Sequence, residues 1–597
     1  MLSDVWSVIA QTRAPIGAQQ HRCVSPRLSA DIVVDVDVVV IGGGPAGYTA
    51  AALLAERSAS VALIDLNGAD APWPNNYGAW ASEWDAVVDR LQMPELLYAT
   101  LNRWQHTHCY LEDSSSRPPI SLDAPYIQID RSYLKQALKR RMLAGGATTI
   151  IRAKVAAEDI AHDPTGSSLR LSDGQHIRAR VLLDATGFES KLVTRQSAAA
   201  SGWWRERTPY FQYAYGCVHE VASSSRGGYD PDAMTLFDFR SCATEGEGEG
   251  EGEGEGEGEG APRERASAFS TRPSFLYVMP LGEGRYFFEE TQLISTAAER
   301  LTFRELRLRL HSRLDEIGVT LKACDAGDGT GGVGGEEEEY SYIPMGGHLP
   351  DPTQRIIAIG GAGGVVHPAT GYQMMRMMTS TADVADAISE ALNGRSTGES
   401  TDNFDAATTA SAAYRALWPA PAVLQREFQL FGGLLLARLD APQTAAFFEA
   451  FFSLPVDVWR GFLAGRAGLP GNEHHDTWHA RAGFAVAMLW RLPVDVGAVL
   501  LSTMISYVLD FGPSLLRCMV SSGEGDDADL ARGCEGAPPG VCSGPSRPIA
   551  SDHVAGDMLA KIEAYTLIQE AMADHESAAD AAERTSPQVA EAGSSVV

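Results

Sequence analysis

The sequence predicts an α/β fold in which a Rossmann-type nucleotide-binding unit is followed by a mixed-sheet region and a helical C-terminal region. Three observations lead to this prediction. A nearly continuous β-branched run, Asp31–Ile41, is followed at once by a Gly-rich turn and an Ala- and Leu-rich segment. Short strand patterns return over residues 274–359, and helical patterns dominate residues 371–515. Buried parallel strands read as continuous apolar runs, whereas helices need longer segments with helical periodicity.

The opening unit has the order strand, helix, strand. Asp31–Ile41 is the first predicted strand, Tyr48–Arg57 the first helix and Ser60–Asp65 the second strand. A glycine-rich motif joins the first strand to the helix, as in dinucleotide-binding folds. The motif and the residues that open the helix are Gly42, Gly44, Pro45, Ala46 and Gly47.

A steric requirement explains why glycine stands at each of three positions of this motif. Gly42 permits the tight turn, Gly44 lets the backbone approach a pyrophosphate, and Gly47 allows close packing of helix and strand. The helix N-terminus offers free N–H groups to the pyrophosphate. Asp65 follows Gly42 by 23 residues, close to the offset expected of a ribose-binding acid. The alternative is a Gly-rich turn without a ligand, which the strand, helix and acid around the motif disfavour.

Two later segments indicate FAD rather than NAD alone. Residues 184–187, Asp-Ala-Thr-Gly, end the predicted strand Ala179–Asp184 and resemble the second, adenine-side motif of glutathione-reductase-type flavoproteins. Residues 360–371 resemble their third motif, which approaches the flavin, although Gly361 stands where those proteins usually have Asp. The cofactor-binding residues expected from both segments are Asp184, Thr186, Gly187, Gly360, Gly361, Pro368 and Gly371.

Composition excludes several classes of protein. The net charge is −29, and it stays strongly negative without the eight Glu of the Glu-Gly run at residues 245–260. Nucleic acid is therefore not an expected partner, because phosphates are bound through Lys and Arg. The eight Cys form no CxxC pair and no zinc spacing, so we expect neither a disulfide framework nor a metal site. No uninterrupted apolar run reaches 18 residues; the nearest is Val496–Leu509.

The composition along the chain predicts four regions. Residues 1–30 read as the remnant of an organelle transit peptide or as a disordered tail. Residues 31–400 are the expected FAD-binding and substrate domain, with disordered insertions near 243–266 and 325–339. Residues 401–520 form the expected helical, membrane-contacting region, and residues 521–597 a mostly disordered acidic tail.

Several segments resemble plant and algal lycopene cyclases. The resemblance covers roughly residues 35–465, and the Glu-Gly run and the long C-terminal tail lie outside it. The matching segments are Pro74–Gly78 with Trp80, Phe287–Thr291, Ser341–Gly347 with Leu349 and Pro350, Val366–Tyr372, Gln425–Gly432, Phe447–Pro455 and Trp459–Leu463.

The resemblance implies conversion of lycopene, or of a monocyclic carotene, into a product with an ionone-type ring. The family needs reduced FAD although the reaction has no net redox change; we expect NADPH or a reductase as the electron source. An acid protonates the terminal double bond, the cation closes the ring, and a proton is then lost. By resemblance Glu289 is the expected acid, with Glu290 in a supporting or proton-relay role. Adjacent strand residues point to opposite faces, so one of the two faces the cavity directly.

Aromatic side chains are the expected stabilisers of the cation, since ring faces attract positive charge. His367, beside the third flavin motif, is expected to hold the flavin or relay a proton, with a packing role as the alternative. Asn75 and Asn76 either order a turn or contact the substrate. The aromatic candidates are Tyr77, Trp80, Phe287 and Tyr372.

An apolar substrate predicts an enzyme that lies on a membrane surface. Leu424–Leu439, Phe447–Leu454 and Val496–Leu509 are the expected interfacial segments, unless they pack a helical core. The resemblance further implies a plastid location and contact with other carotenoid enzymes. Sequence details favour an ε ring slightly over a β ring.

Two other functions share the nucleotide-binding fold, because a fold does not fix a function. One is an FAD-dependent monooxygenase or reductase acting on an isoprenoid or aromatic substrate, which would consume NADPH and oxygen. The other is a membrane-bound flavoprotein without catalytic activity. Neither needs the acid pair Glu289-Glu290 in its aromatic setting.

Overall fold

The computed structural model describes residues 33–111, 118–145, 147–240, 273–296, 298–322, 336–394 and 404–521. The predicted leader, the Glu-Gly run and the predicted acidic tail beyond residue 521 lie outside these residues. Residues 325–335 of the second predicted insertion also lie outside them.

The described residues contain 18 strands and 12 α-helices. The strands are β1 (Val33–Ile41), β2 (Val61–Asp65), β3 (Tyr77–Trp80), β4 (Thr100–Trp104), β5 (His106–Tyr110), β6 (Ile120–Leu122), β7 (Tyr126–Ile129), β8 (Thr148–Arg152), β9 (Ile160–Asp163), β10 (Gly166–Arg170), β11 (His176–Asp184), β12 (Tyr210–Arg226), β13 (Ala233–Asp238), β14 (Phe275–Gly282), β15 (Arg285–Ser295), β16 (Val319–Leu321), β17 (Glu336–Met345) and β18 (Ile356–Ala358). The helices are α1 (Pro45–Glu56), α2 (Ala81–Leu91), α3 (Arg131–Ala144), α4 (Phe303–Glu316), α5 (Met374–Leu392), α6 (Ala406–Leu417), α7 (Ala420–Leu436), α8 (Ala441–Phe452), α9 (Val456–Ala464), α10 (Trp478–Arg491), α11 (Val494–Phe511) and α12 (Ser514–Cys518).

The nucleotide-binding sheet has the strand order β8-β2-β1-β11-β10-β9, with β18 beside β11. β1 runs parallel to β2 and β11, and β10 runs antiparallel to β11. Val38, Val39 and Val40 are fully buried, as expected of a parallel strand covered on both faces. α1 begins at Pro45, where a residue without an N–H fits the first turn of a helix. The predicted strand–helix–strand opening is confirmed.

The second sheet carries the catalytic candidates. Its order is β16-β12-β15-β14-β13-β5-β6, with β17 also paired to β12. α4 covers one face through buried Leu306, Leu310 and Leu314. A capping box of Thr302 and Glu305 fixes the start of that helix. The opposite face of the sheet is not covered by α4 and borders a cavity. A small third sheet, β3-β7-β4, contacts α2 and α5 through β3.

The end predicted for the insertion at residues 325–339 is wrong. The acidic residues up to Glu339 were expected in a disordered loop, but Glu336–Met345 is a strand paired with β12. The expectation rested on composition, because Glu is depleted in strands. Cross-strand partners override that preference here. Tyr215 and Tyr340 donate hydrogen bonds to Glu338, both at 2.8 Å.

Two of the three predicted membrane-contacting segments pack the core instead. Within α7 and α8 the aromatic and leucine side chains are mostly buried, Phe428, Phe448 and Phe451 among them. Their rings contact one another at centroid distances near 6 Å, such as 6.3 Å between Phe448 and Phe451. α11 differs, since its buried residues are confined to one stripe. It is also the one helix in the described residues long and apolar enough to cross a membrane by length and composition.

Candidate active site

A cavity of about 800 Å³ lies between the nucleotide-binding sheet and the free face of the second sheet. One end is bounded by the Gly-rich turn after β1, at the carboxyl edge of the parallel strands where α/β proteins bind ligands. Glu289 on β15 also lines this cavity. The predicted nucleotide motif and the predicted acid therefore border one continuous space.

The turn between β1 and α1 has the shape that a pyrophosphate requires. Gly42 has φ +111°, and a Cβ there would lie 2.5 Å from the carbonyl oxygen of Ala185. A Cβ at Gly47 would lie 1.9 Å from the carbonyl oxygen of Gly42, so only glycine allows this approach of helix and turn. A Cβ at Gly44 would meet nothing within 4 Å. The open side of the loop thus faces the cavity at Gly44.

The predicted ribose and adenine contacts divide into two groups. Asp65, Thr186 and Gly187 line the cavity, as does Lys154, which the sequence analysis did not single out. Asp184 does not line it. Its buried carboxylate accepts hydrogen bonds from Thr186 N at 2.9 Å and Thr186 Oγ1 at 2.7 Å. Asp184 therefore shapes the turn that presents Thr186, rather than contacting a ligand itself.

The third predicted motif is likewise divided. Gly361 and Gly371 line the cavity, together with Ala46 and Pro45 from α1. Gly360 lies behind them, where a Cβ would come within 2.8 Å of the Ala46 side chain. Pro368 lies outside the lining and packs against α7, since its carbonyl oxygen would be 2.5 Å from a Cβ at Gly433. Gly360 and Pro368 therefore pack behind the cavity wall and do not line the cavity.

Glu289 faces the cavity, and the surrounding protein encloses its carboxyl. Thr291 Oγ1 donates a hydrogen bond to its Oε1 at 2.7 Å. Burial raises the pKa of Glu289 to about 8, and the negative charge of Glu339 adds to the shift. The carboxyl is thus protonated at neutral pH. A protonated carboxyl in an apolar cavity is the group that proton donation to a hydrocarbon needs.

Glu290 lies on the opposite face of the sheet, away from the cavity. Its Oε1 is 2.9 Å from Arg313 Nη2 of α4, and both side chains are almost completely buried. Strand alternation sends adjacent residues to opposite faces, so the direct proton-relay role expected for Glu290 does not fit this position. Glu290 instead joins α4 to the sheet.

Glu339 is the second carboxylate of the cavity, and no sequence motif predicted its role. Asn75 Nδ2 and Ser341 Oγ donate hydrogen bonds to its Oε1 at 3.1 and 2.9 Å. Asn76 donates to its Oε2 from the backbone N at 2.9 Å and from Nδ2 at 3.0 Å. Asn75 and Asn76 thus hold a carboxylate and line the cavity. Glu339 shares no local motif with Glu289, and only the strand register brings the two together.

Three of the four aromatic candidates line the cavity: Tyr77, Phe287 and Tyr372. Trp80 does not. It is fully buried behind the lining, with ring centroids 5.0 Å from Tyr126 and 5.3 Å from Trp459. Its position supports the wall of the cavity rather than a contact with a ligand. Tyr126 and Tyr277 also line the cavity, although no sequence motif indicated them, and their hydroxyls lie 3.2 Å apart.

His367 is a packing residue, and its expected flavin or proton-relay role does not fit the structure. It is fully buried outside the cavity lining. Its Nδ1 accepts a hydrogen bond from Ala369 N at 3.2 Å, so the proton lies on Nε2, which donates to the Phe462 carbonyl at 2.9 Å. Burial lowers the pKa of His367 well below its ordinary value. The imidazole is therefore neutral and both nitrogens are occupied.

The described residues contain no group of three or more His, Cys, Asp or Glu side chains arranged to hold a metal ion. Carboxyl, hydroxyl, amide and amine groups line the cavity together with aromatic rings.

Fold and cavity together define a class of protein: an α/β FAD-binding fold in which the nucleotide loop and a buried acid share one largely apolar cavity. A geranylgeranyl bacteriochlorophyll reductase-like protein from Thermoplasma acidophilum shares this fold, with a TM-score of 0.51 and 15% identity over 79% of this chain and all of that one.

The chain belongs to the lycopene cyclase family. The family model described as lycopene cyclase protein matches residues 37–474. The chain is 35% identical over 437 residues to a lycopene beta cyclase of Capsicum annuum, covering 73% of this chain and 76% of that protein. It is 32% identical over 434 residues to a lycopene beta cyclase of Synechococcus elongatus, covering 73% of this chain and 90% of that protein. The resemblance stated from the sequence motifs is confirmed.

Proposed function

We propose that this protein cyclises the end of a linear carotene, lycopene, by protonation, ring closure and deprotonation. The observation that carries the proposal is the position of Glu289, a carboxyl with a raised pKa that faces a largely apolar cavity beside the nucleotide loop. Family membership supplies the substrate class. The reaction rearranges bonds without adding or removing atoms overall.

The side chains of the cavity suit each step. Glu289 donates its proton to the terminal double bond, and the resulting tertiary cation is attacked by the next double bond. Phe287, Tyr77 and Tyr372 line the cavity and offer ring faces that stabilise a cation. Loss of a proton from the ring cation then completes the ring.

FAD is the cofactor that the loop geometry supports. Gly42, Gly44 and Gly47 provide the tight approach to a pyrophosphate, and Asp65 lies at the end of β2 for a ribose. Thr186, Gly187, Gly361 and Gly371 border the same continuous cavity. Reduced flavin, when bound, supplies negative charge that stabilises cations nearby. NADPH as the electron source stays a prediction.

An exposed apolar face on the C-terminal helices supports contact with a membrane. Trp490 is 89% exposed, Val494 91% and Leu509 68%. Such a surface is unusual on a soluble protein and suits burial among lipid headgroups and acyl chains. The proposed substrate is a hydrocarbon that dissolves in a bilayer. Membrane binding through this surface would bring the enzyme to its substrate. The other exposed apolar residues of this face are Val486, Leu489, Leu501, Met504, Ile505, Leu516 and Val520.

We infer a plastid location, because relatives from Capsicum annuum and Arabidopsis thaliana are described as chloroplastic. The ε ring stays a prediction, and the relatives compared above are beta cyclases. Contact with other carotenoid enzymes also stays a prediction.

Pigment analysis in bacteria that accumulate lycopene tests the proposed function. The native chain is expected to yield cyclic carotenes, and Glu289→Gln to yield only lycopene while still binding FAD. Glu338→Gln is the matched control, because Glu338 lies on the opposite face of its strand and contacts Tyr215 and Tyr340. Persistence of lycopene with the folded, flavin-loaded native chain would contradict the proposal and favour a monooxygenase or reductase.

A further inference from the structure

Glu289 and Glu339 lie opposite the same residue of one strand. β12 runs between β15 and β17, and Gly216 is paired with Glu289 on one side and with Glu339 on the other. Directly paired residues of antiparallel strands point to the same face. The two carboxyls therefore share the cavity face, with roughly 10 Å between their Cα atoms, or two strand spacings.

The ring of Phe287 lies over Gly216. A Cβ at Gly216 would come within 2.5 Å of Phe287 Cζ, so the glycine leaves the space that this ring occupies. Phe287 is two residues before Glu289 on β15 and points to the same face. A cation held against this ring would thus have a carboxyl on either side of it.

The two carboxyls have different surroundings. Glu339 accepts four hydrogen bonds, from Asn75, Ser341 and both nitrogens of Asn76. Glu289 accepts one, from Thr291. Burial raises the pKa of both carboxyls, but the four donors oppose that shift at Glu339 because they stabilise its charged form. A single proton shared by the pair thus resides on Glu289, and the negative charge resides on Glu339.

We propose that Glu339 is the base that removes the proton from the ring cation, an inference that rests on the proposed function. The O–H bond of Glu289 breaks as the π electrons of the terminal double bond form a C–H bond at its less substituted carbon, which leaves a tertiary cation on the dimethyl carbon. After ring closure a ring C–H bond breaks, its electron pair forms the new double bond, and the proton passes to the Glu339 carboxylate. Proton transfer from Glu339 to Glu289 restores the starting state, so no proton is consumed.

The positions of the two carboxyls suit this division of work. The carbon that gains a proton and the carbon that loses one belong to the same small ring. The acid and the base must then lie near each other on one wall of the site. Two carboxyls flanking Gly216 on one cavity face meet this requirement, and Glu290 and Glu338, on the opposite face, do not.

The tyrosines that face the pair do not carry charge at neutral pH. Tyr126 and Tyr277 lie near Glu289, and Tyr77 lies near Glu339; burial raises the pKa of all three hydroxyls. The guanidinium of Arg131 lies behind Asn76, with its Nη1 3.4 Å from Asn76 Oδ1. The active form is the pair with one proton, so the rate is expected to rise and then fall with pH as the pair titrates in two steps.

Glu339→Gln tests the proposal in the purified flavoprotein. Turnover of lycopene in liposomes is expected to fall by at least about 100-fold, the usual range for loss of a general base. The rising limb of the pH profile is expected to disappear, and the falling limb to move to lower pH, because the negative charge that raises the pKa of Glu289 is removed. Glu339→Asp, which restores the carboxylate, is expected to recover part of the rate and both limbs.

Glu338→Gln is the matched control and is expected to keep turnover within about twofold of native, since removing a charge outside the cavity leaves both reacting carboxyls in place. Should Glu339→Gln fail to fold, Ser341→Ala takes its place. It removes one donor to Glu339 and is expected to move the rising limb to higher pH. Native turnover and an unchanged pH profile in a folded Glu339→Gln or Ser341→Ala variant would show that Glu339 is not the base. That result would leave the proposed function standing. An inactive native chain would overturn the proposed function and the inference with it.

Discussion

Glu289 and Glu290 are neighbours in the chain, yet their surroundings give them different properties. Glu289 is enclosed by the cavity with one hydroxyl donor, whereas Glu290 forms a buried ion pair with Arg313. Burial without an adjacent cation raises the pKa of the Glu289 carboxyl. The first residue suits proton donation and the second suits stabilisation of the fold.

The pKa of Glu289 predicts the high-pH limit of activity. Glu289 must be protonated to act as an acid, so turnover is expected to be lost as pH rises through about 8. Rates measured from mildly acidic to strongly alkaline pH, with flavin loading and folding checked at each pH, provide the test. Constant turnover far into the alkaline range would contradict the assignment of Glu289 as the acid.

Glu290→Gln is expected to weaken the fold rather than the chemistry. The change removes the carboxylate that faces the buried Arg313 guanidinium, at a cost on the order of 3 kcal/mol. Thermal unfolding should show a lowered Tm, while turnover per folded molecule stays close to native. A native Tm combined with lost turnover would assign Glu290 to the reaction itself.

At the scale of the elements, α11 differs from the helices before it. α7 and α8 bury their aromatic side chains in the core, whereas α11 buries only a stripe of Val496, Gly497, Thr503 and Tyr507. Other apolar residues of α11, such as Leu501, Ile505 and Leu509, are exposed, as are those at the end of α10. All three helices are rich in hydrophobic residues, so the sequence did not show which of them are buried. Their packing against neighbouring elements shows it.

Charged substitutions on α11 are expected to weaken membrane binding. The double variant Ile505→Asp and Leu509→Asp places charge on two exposed positions of the apolar face, and sedimentation with liposomes should show less bound protein. Leu308→Asp is the control, because Leu308 is exposed on α4 outside this face. Unchanged liposome binding of the double variant would remove α11 from the membrane contact.

For the whole molecule, local patterns predicted the parts of the site that depend on local geometry. The turn at residues 42–47 and the acid Asp65 follow from spacing along a strand–turn–helix unit, and strand alternation predicted that only one of Glu289 and Glu290 faces the cavity. Glu339 depends on the register of three strands, which no local pattern encodes. His367 adjoins a flavin motif in sequence, but its ring points into the packing around Phe462.

The most direct test of the central claim is turnover of lycopene by the purified, flavin-reduced protein in deuterated water without oxygen. Protonation by an exchangeable acid followed by loss of a substrate proton predicts a cyclic product that carries one deuterium for each ring formed. Its mass is otherwise that of lycopene. A product that has gained oxygen or lost hydrogen, or a cyclic product without deuterium in a single turnover of protein already equilibrated in deuterated water, would contradict acid-initiated cyclisation.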